Sequence, residues 1–360
     1  MFNREFMSIP VNEPTSIAIA ANLTGLDLWL DLIQYRRPYD TQTDKLFADA
    51  LAEYITSALG YNVTRDKVGN IFVRVGTNPS TAFTAHTDTV HSMGGVQTIG
   101  IDDTLLHAVV NDPISNCLGA DDTTGIVILL ELMRAGTDAV YCFFRGEEVG
   151  GVGSSEAARD LYNSNGGHPM NGVSKVVSFD RRGYSDVITH QGNGNCASDT
   201  FASSLAYQLN MSGLAYRADD SGIYTDSAEF MEDISECTNI SVGYDNEHTR
   251  EEFQDLGFLF DYLIPAVLEV NWGSLPCLRD PAEYMSNAWG GWGNNYPEYT
   301  PKISNTSTGG KDYSNVDPAI ANIMDLAMDN IKCGELVAFF ELHSIEPSAF
   351  VDYCFANGIV

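Results

Sequence analysis

Four apolar or aromatic residues in a row, Tyr141-Cys142-Phe143-Phe144, run into Arg145-Gly146-Glu147-Glu148 and then a glycine-rich turn, Val149-Gly150-Gly151. An unbroken apolar run of this length is the pattern of a strand covered on both faces, as inside a parallel sheet. Open α/β sheets build their sites at the carboxyl ends of such strands. Neighbouring side chains in a strand or tight turn point in different directions. One of the two carboxylates can therefore hold a metal while the other faces a water. In isolation a solvated turn at a strand end would look the same, so the weight rests on what the rest of the chain places beside Glu147 and Glu148.

A chain of 360 residues is long enough for one large α/β domain with an appendage, or for two domains. It carries 19 basic against 49 acidic residues, a formal charge of −30, and only six lysines. That surface repels phosphate backbones and anionic membrane faces, which argues against nucleic-acid or membrane partners and suits metal cations. Seven cysteines, with no C-x-x-C pair, point away from a disulfide framework and towards a reducing compartment, the cytoplasm. Arg4, Glu5 and Glu13 around a short Ser16–Leu23 apolar patch do not make a signal peptide, and no stretch has the length of a membrane span.

Residues 1–24 form an irregular lead-in. Helical spacing between Leu26 and Leu59 predicts two helices broken near Pro38, with Gly60 as the stop. Strands at Tyr61–Arg65 and Asn70–Val75 are joined by Asp66-Lys67-Val68-Gly69-Asn70, which has hairpin-turn chemistry. The next strand ends in Thr84-Ala85-His86-Thr87-Asp88, and the two-residue spacing puts His86 and Asp88 on one face of an extended chain. A metal-bound imidazole commonly donates its other N–H to a carboxylate, a part that Asp88 can play. After a hairpin (Gln97–Ile101, Leu105–Val110), Gly119-Ala120-Asp121-Asp122 opens a helix through Met133. One aspartate is enough for a cap, so the second invites another role. A helix near Ser154–Leu161 precedes the strand Val173–Phe179, which ends in Asp180-Arg181-Arg182-Gly183. A strand Asp186–His190, a helix over Ala197–Met211 and a strand near Leu214–Arg217 come next. Tyr224-Thr225-Asp226 then opens a short helix, the strand Thr238–Val242 runs into Tyr244-Asp245-Asn246-Glu247-His248, and a long helix is predicted from Glu251 to Val270.

The strand tips and helix starts thus carry His86, Asp121, Glu147, Glu148, Asp180 and His248. Nitrogen and oxygen donors in that mix suit zinc, with cobalt or manganese as substitutes. Two histidines and three carboxylates serve two divalent ions if one carboxylate bridges them, and the remaining glutamate is left as a base.

His86-x-Asp88, Gly119-Ala120-Asp121-Asp122, Gly146-Glu147-Glu148, Asp180 and His248, in this order, resemble the co-catalytic zinc exopeptidase clan of zinc aminopeptidases, peptidase T, glutamate carboxypeptidases and amino-acid deacylases. The Asp66…Gly69-Asn70 turn and Tyr224-Thr225-Asp226 resemble its members as well, and the likeness covers roughly residues 25–270. It implies an α/β fold, three layers around a mixed, mostly parallel central sheet. It implies two Zn2+ ions, with Co2+ or Mn2+ as alternatives, and a peptide or small amide as substrate. His86 and Asp180 would hold one ion, Glu148 and His248 the other, and Asp121 both. Asp88 would orient His86, Glu147 would be the general base towards a metal-bridging water, and Tyr224 or Tyr244 would steady the oxyanion. Branches of the clan with a lid or dimerisation domain insert it after the His-x-Asp motif or between the last acidic ligand and the last His. Those intervals are 35 and 68 residues here, too short for a further domain, so the resemblance narrows to a lidless aminopeptidase. Arg181 and Arg182 directly after Asp180 depart from that pattern. As binders of a substrate carboxylate they would keep a carboxypeptidase, a dipeptidase or an N-acyl amino acid deacylase in play. A non-catalytic binding protein on the same fold is disfavoured by the intact ligand set, and a one-metal structural site by the surplus of acids.

The catalytic domain is expected over 25–272. A linker or long loop rich in Gly, Asn and aromatics follows over 273–316, then a helical module over 317–360 with helices at Pro318–Ile331, Glu335–Ile345 and Ser348–Ala356.

Overall fold

The computed structural model describes residues 13–282, apart from 103 and 193. The chain divides into two units, 1–289 and 290–360. The expected helical module and the part of the expected linker beyond residue 282 lie outside the described residues.

The first unit is organised by an eight-stranded sheet. Its strands are β1 (Thr64–Arg65), β2 (Ile71–Val75), β3 (Thr81–His86), β4 (Ala139–Phe144), β5 (Lys175–Arg181), β6 (Asp186–Ile188), β7 (Arg217–Asp219) and β8 (Glu236–Ser241), in the spatial order β7-β6-β8-β5-β3-β4-β2-β1. The central four, β8, β5, β3 and β4, are mutually parallel. On one side β2 runs antiparallel to β4, and on the other β6 runs antiparallel to β8. The sheet is therefore mixed and mostly parallel at its centre, as the motif order implied. Every residue of β3, β4 and β8 is buried, so these strands read as continuous runs because both faces are covered. The Phe83 ring on β3 meets Tyr141 at 5.6 Å, Phe179 at 5.6 Å and Trp272 edge-on at 4.7 Å. Aromatic pairs of this kind add about 0.5–1.5 kcal/mol each beyond the area they bury.

Helices α1 (Gly25–Ile33), α2 (Gln42–Ser57), α3 (Ala120–Arg134), α4 (Val152–Asn163) and α5 (Asp199–Asn210) connect or cover the strands. Helix α3 packs on β3 and β5 with α1 against its other side, which explains why its apolar residues run round the helix instead of along one stripe. Gly125 permits that closeness: a Cβ there would lie 2.7 Å from the Phe179 carbonyl oxygen. No helix among the described residues is long and apolar enough to cross a membrane.

Asp66 Oδ1 accepts N–H groups from Val68, Gly69 and Asn70, closing the turn between β1 and β2 as its composition predicts. The long helix expected over Glu251–Val270 is a misreading. Phe253–Asp255 is instead a strand paired with His107–Val110 in a separate four-stranded sheet. Helical structure begins at Leu256, passes through a π-helical turn over Phe258–Leu263 and continues as α6 (Ile264–Glu269). Pro265, with no N–H to give, falls where the π-helical turn meets α6. Between Asp180 and His248 the chain forms β6, β7, β8, α5 and short connections. Beyond α6, Trp272, Leu275 and Arg279 are buried against the same unit.

Candidate metal centre

Because β5, β3 and β4 are parallel neighbours, their carboxyl ends stand side by side. The tip of β3 carries His86, that of β5 carries Asp180, and Gly146-Glu147-Glu148 follows β4 directly. Helix α3 begins beside them with Asp121, and the loop after β8 brings His248. Two groups result. His86, Asp121 and Asp180 form one, and Asp121, Glu148 and His248 the other, with the donor atoms of each within 4.8 Å of one another. His86 Nε2 is 2.9 Å from Asp121 Oδ1 and 3.6 Å from Asp180 Oδ1. His248 Nε2 is 3.2 Å from Asp121 Oδ2 and 3.1 Å from Glu148 Oε2. The two carboxylate oxygens of Asp121 thus face different groups.

The adjacent aspartates have separate tasks. Asp122 Oδ1 accepts the Gly125 N–H at 2.9 Å, which is the capping role, and its Oδ2 accepts the His86 backbone N–H at 3.1 Å. The helical backbone starts only after Asp122, and the peptide bond between the two residues is cis. Asp121 stays free to aim both oxygens into the centre.

The supporting contacts are directional. Asp180 Oδ1 accepts from the Tyr244 hydroxyl at 2.9 Å and Oδ2 from Thr225 at 2.6 Å, while Asn239 bonds both the N–H and the C=O of its backbone. Asp88 Oδ1 accepts the N–H groups of Gly146 and Glu147 and its Oδ2 that of Glu148, at 2.7–3.2 Å. His86 Nδ1 lies 3.1 Å from the Asp88 carbonyl and 3.7 Å from its carboxylate. The Asp88 carboxylate therefore grips chiefly the loop that carries Glu147 and Glu148, and its main chain faces the imidazole.

The electrostatics are those of a centre built for cations. Burial, with Asp180, Glu148 and Asp226 nearby, pushes the Glu147 carboxyl well above the usual range. Burial and Asp121 bring Glu148 up to about 8, and burial alone would lower His86, yet Asp180, Asp121 and Asp88 raise it well above its ordinary value. Hydrogen bonds to Asp121 and Glu148 lift His248 to about 11. Carboxylates crowded this closely are costly unless positive charge stands among them. Among the described residues Glu148 Oε1 is buried without a hydrogen-bond partner, as an atom committed to a cation would be. Tetrahedral zinc with bonds of 2.0–2.2 Å sets neighbouring donors about 3.4 Å apart, and the separations here bracket that value. The donor set fits two divalent ions.

Glu147 stands beside the two groups. Its carboxylate joins neither group, takes no hydrogen bond among the described residues, and lines a cleft of about 210 Å³. Tyr224, Arg181 and Arg182 line the same cleft, with Ile188 and Ile223 as its apolar part. The Tyr224 hydroxyl donates to Glu229 at the lip, and Tyr244, fully buried, is committed to Asp180. Arg181 is paired with Asp186 at 3.4 Å and Arg182 with Glu247 at 3.0 Å. Reading the sequence missed Thr225 and Asn239 as holders of Asp180. It also missed Glu252, a buried carboxylate whose one local signal is that it follows His248 by four residues.

Neither a protein-family model nor a curated protein matches this chain by sequence. The strand order belongs to an α/β fold that solved peptidases share. A tripeptidase from Staphylococcus aureus superposes with a TM-score of 0.54 at 15% identity, covering 67% of this chain and 95% of that one. The aminopeptidase PepT from Bacillus cereus gives 0.50 at 14% identity, covering 67% and 96%. At these identities the likeness is one of fold, and it agrees with the clan that the motifs resemble.

Proposed function

We propose that this chain is a two-metal exopeptidase of the aminopeptidase type. The observation that carries the reading is the pair of donor groups sharing Asp121, with Glu147 beside them and outside both. His86 and Asp180 would hold one ion, Glu148 and His248 the other, and Asp121 would contribute one oxygen to each. Zinc is the metal that the nitrogen and oxygen donors suit best. Two such ions would supply Lewis acidity towards a carbonyl and would make a water acidic near neutral pH.

The protein's own residues do the rest. Glu147 takes a proton from the attacking water and returns it to the departing amine. Asp88 fixes the direction of Glu147 through three backbone N–H groups of the loop. Tyr244 and Thr225 hold Asp180 in one orientation, so its charge stays aimed at the centre. Tyr224 stands at the lip, where a swing away from Glu229 would turn its hydroxyl towards a developing oxyanion. The cleft, at about 210 Å³, has room for the end of a peptide.

A carboxypeptidase or dipeptidase direction is the second reading, favoured by Arg181 and Arg182 in the cleft wall. Both arginines already face acids, which weakens their claim on a substrate carboxylate. Aminoacyl-anilides, N-acyl amino acids and dipeptides, offered to chelated protein with metal restored, separate the two. Cleavage of anilides only after metal is returned supports the aminopeptidase, and exclusive cleavage of N-acyl amino acids would replace it with a deacylase.

A further inference from the structure

Three alternate residues after His248 reach across to one segment of the chain. Arg250 donates to the Ser115 carbonyl at 2.6 Å. Glu252 Oε2 accepts the N–H groups of Leu118 at 2.7 Å and Gly119 at 2.9 Å, and its Oε1 that of Asp121 at 3.2 Å. Gln254 Oε1 accepts the Thr124 hydroxyl at 2.7 Å. Arg250 leaves the turn after His248, Glu252 stands where that turn ends, and Gln254 lies in the strand Phe253–Asp255. The segment they hold, 115–124, carries Asp121, the residue common to both donor groups. The segment they come from carries His248.

We propose that Glu252 is the positioning residue of the metal centre, setting Asp121 against His248 by gathering the backbone N–H groups of the turn before α3. The inference rests on the reading that the two groups hold divalent ions. Glu252 is 1% exposed, so water cannot replace its three bonds. A carboxylate is the side chain that fits, because both of its oxygens accept and three donors converge on them. A glutamine would turn an amide N–H₂ towards one or more of those donors. The turn would then open, and Asp121 would lose its fixed distance to His86 and His248 together. Glu252 touches neither reacting atoms nor ligand side chains, so its effect reaches the centre through the backbone of residues 118–121.

Glu236 supplies a matched control. It is fully buried, accepts N–H groups from Ser198, Leu278 and Arg279, and sits at the amino end of β8, away from the strand tips that carry the centre. The test compares Glu252→Gln, Glu252→Asp and Glu236→Gln with the wild type in zinc affinity, by chelator competition on metal-stripped protein, and in Tm without metal. Partners behind metal ligands typically contribute about 10- to 100-fold in affinity. Glu252→Gln is expected to weaken zinc binding by that much, Glu252→Asp by less, and Glu236→Gln to lower Tm with wild-type affinity. Wild-type affinity in Glu252→Gln, or in Glu252→Asp should the glutamine variant not fold, overturns the proposal. So does an equal loss of affinity in Glu236→Gln. If the wild type binds no divalent ion, the functional reading fails instead, and amide exchange then judges Glu252. Faster exchange at Leu118, Gly119 and Asp121 in Glu252→Gln is expected, and unchanged protection there overturns the proposal.

Discussion

Replacing Glu147 by glutamine separates base from ligand. The carboxylate lines the cleft, belongs to neither donor group and takes no hydrogen bond among the described residues, so Glu147→Gln removes a proton acceptor and little else. The loop itself is held by its backbone through Asp88, which the substitution leaves untouched. General acid–base catalysis contributes roughly 10²–10⁴-fold, or about 3–5 kcal/mol at 1.36 kcal/mol per decade. The variant should therefore keep both ions, a wild-type Tm and a near-normal KM while kcat on an aminoacyl-anilide falls by that factor. Glu148→Gln should fail differently. Glu148 Oε2 faces His248 at 3.1 Å and its other oxygen has no hydrogen-bond partner among the described residues, so metal content should fall along with rate. Elemental analysis beside steady-state kinetics reads both variants. A Glu147→Gln enzyme within tenfold of wild-type kcat would show that another group moves the proton. One that loses an ion would exchange the roles of the two glutamates.

Two further outcomes follow from contacts around the centre. Tyr244→Phe removes a buried hydroxyl donor from Asp180, and a hydrogen bond to a charged group is worth about 1.5–3 kcal/mol, so zinc should bind about 10- to 100-fold more weakly in a chelator competition. Unchanged affinity would mean that Thr225 and Asn239 suffice. His91 is buried with Nδ1 on Thr89 and Nε2 on the Cys117 carbonyl, and burial followed by the charge of Arg37 pushes it down to about 3. Unfolded protein takes up that proton below about 6.5 while the native state does not, so stability is full above 6.5 and is lost as pH falls towards 3. At 1.36 kcal/mol per unit the loss between pH 7 and pH 5 is about 2 kcal/mol, and denaturant midpoints of His91→Gln should lack it. Equal pH slopes in both proteins would refute the assignment.

The motifs at the strand tips are legible in the sequence because a parallel sheet brings residues distant along the chain to one edge. His86, Glu147, Glu148 and Asp180 each end an apolar run, and the run itself announces the buried strand. The doubled aspartate is legible too, since capping accounts for Asp122 and leaves Asp121 over. What the sequence hides are acceptors of backbone N–H groups far along the chain. Glu252 serves donors 131 to 134 residues away, and no local pattern marks such a partner. The same hidden contacts explain the false helix at Glu251: the chain is helical from Leu256 onward, and pairing with His107–Val109 keeps Phe253–Asp255 extended just before it. Asp88 was paired with His86 by spacing, and only the fold shows its carboxylate on the loop after β4.

The central claim is that one carboxylate serves two cations. Anomalous diffraction from crystals grown with saturating zinc tests it most directly. The account predicts two peaks about 3.5–4 Å apart, the spacing of two-metal hydrolases, with one oxygen of Asp121 on each, His86 and Asp180 on the first, and Glu148 and His248 on the second. A single peak at saturation, or two ions with Asp121 bound to only one of them, would contradict it.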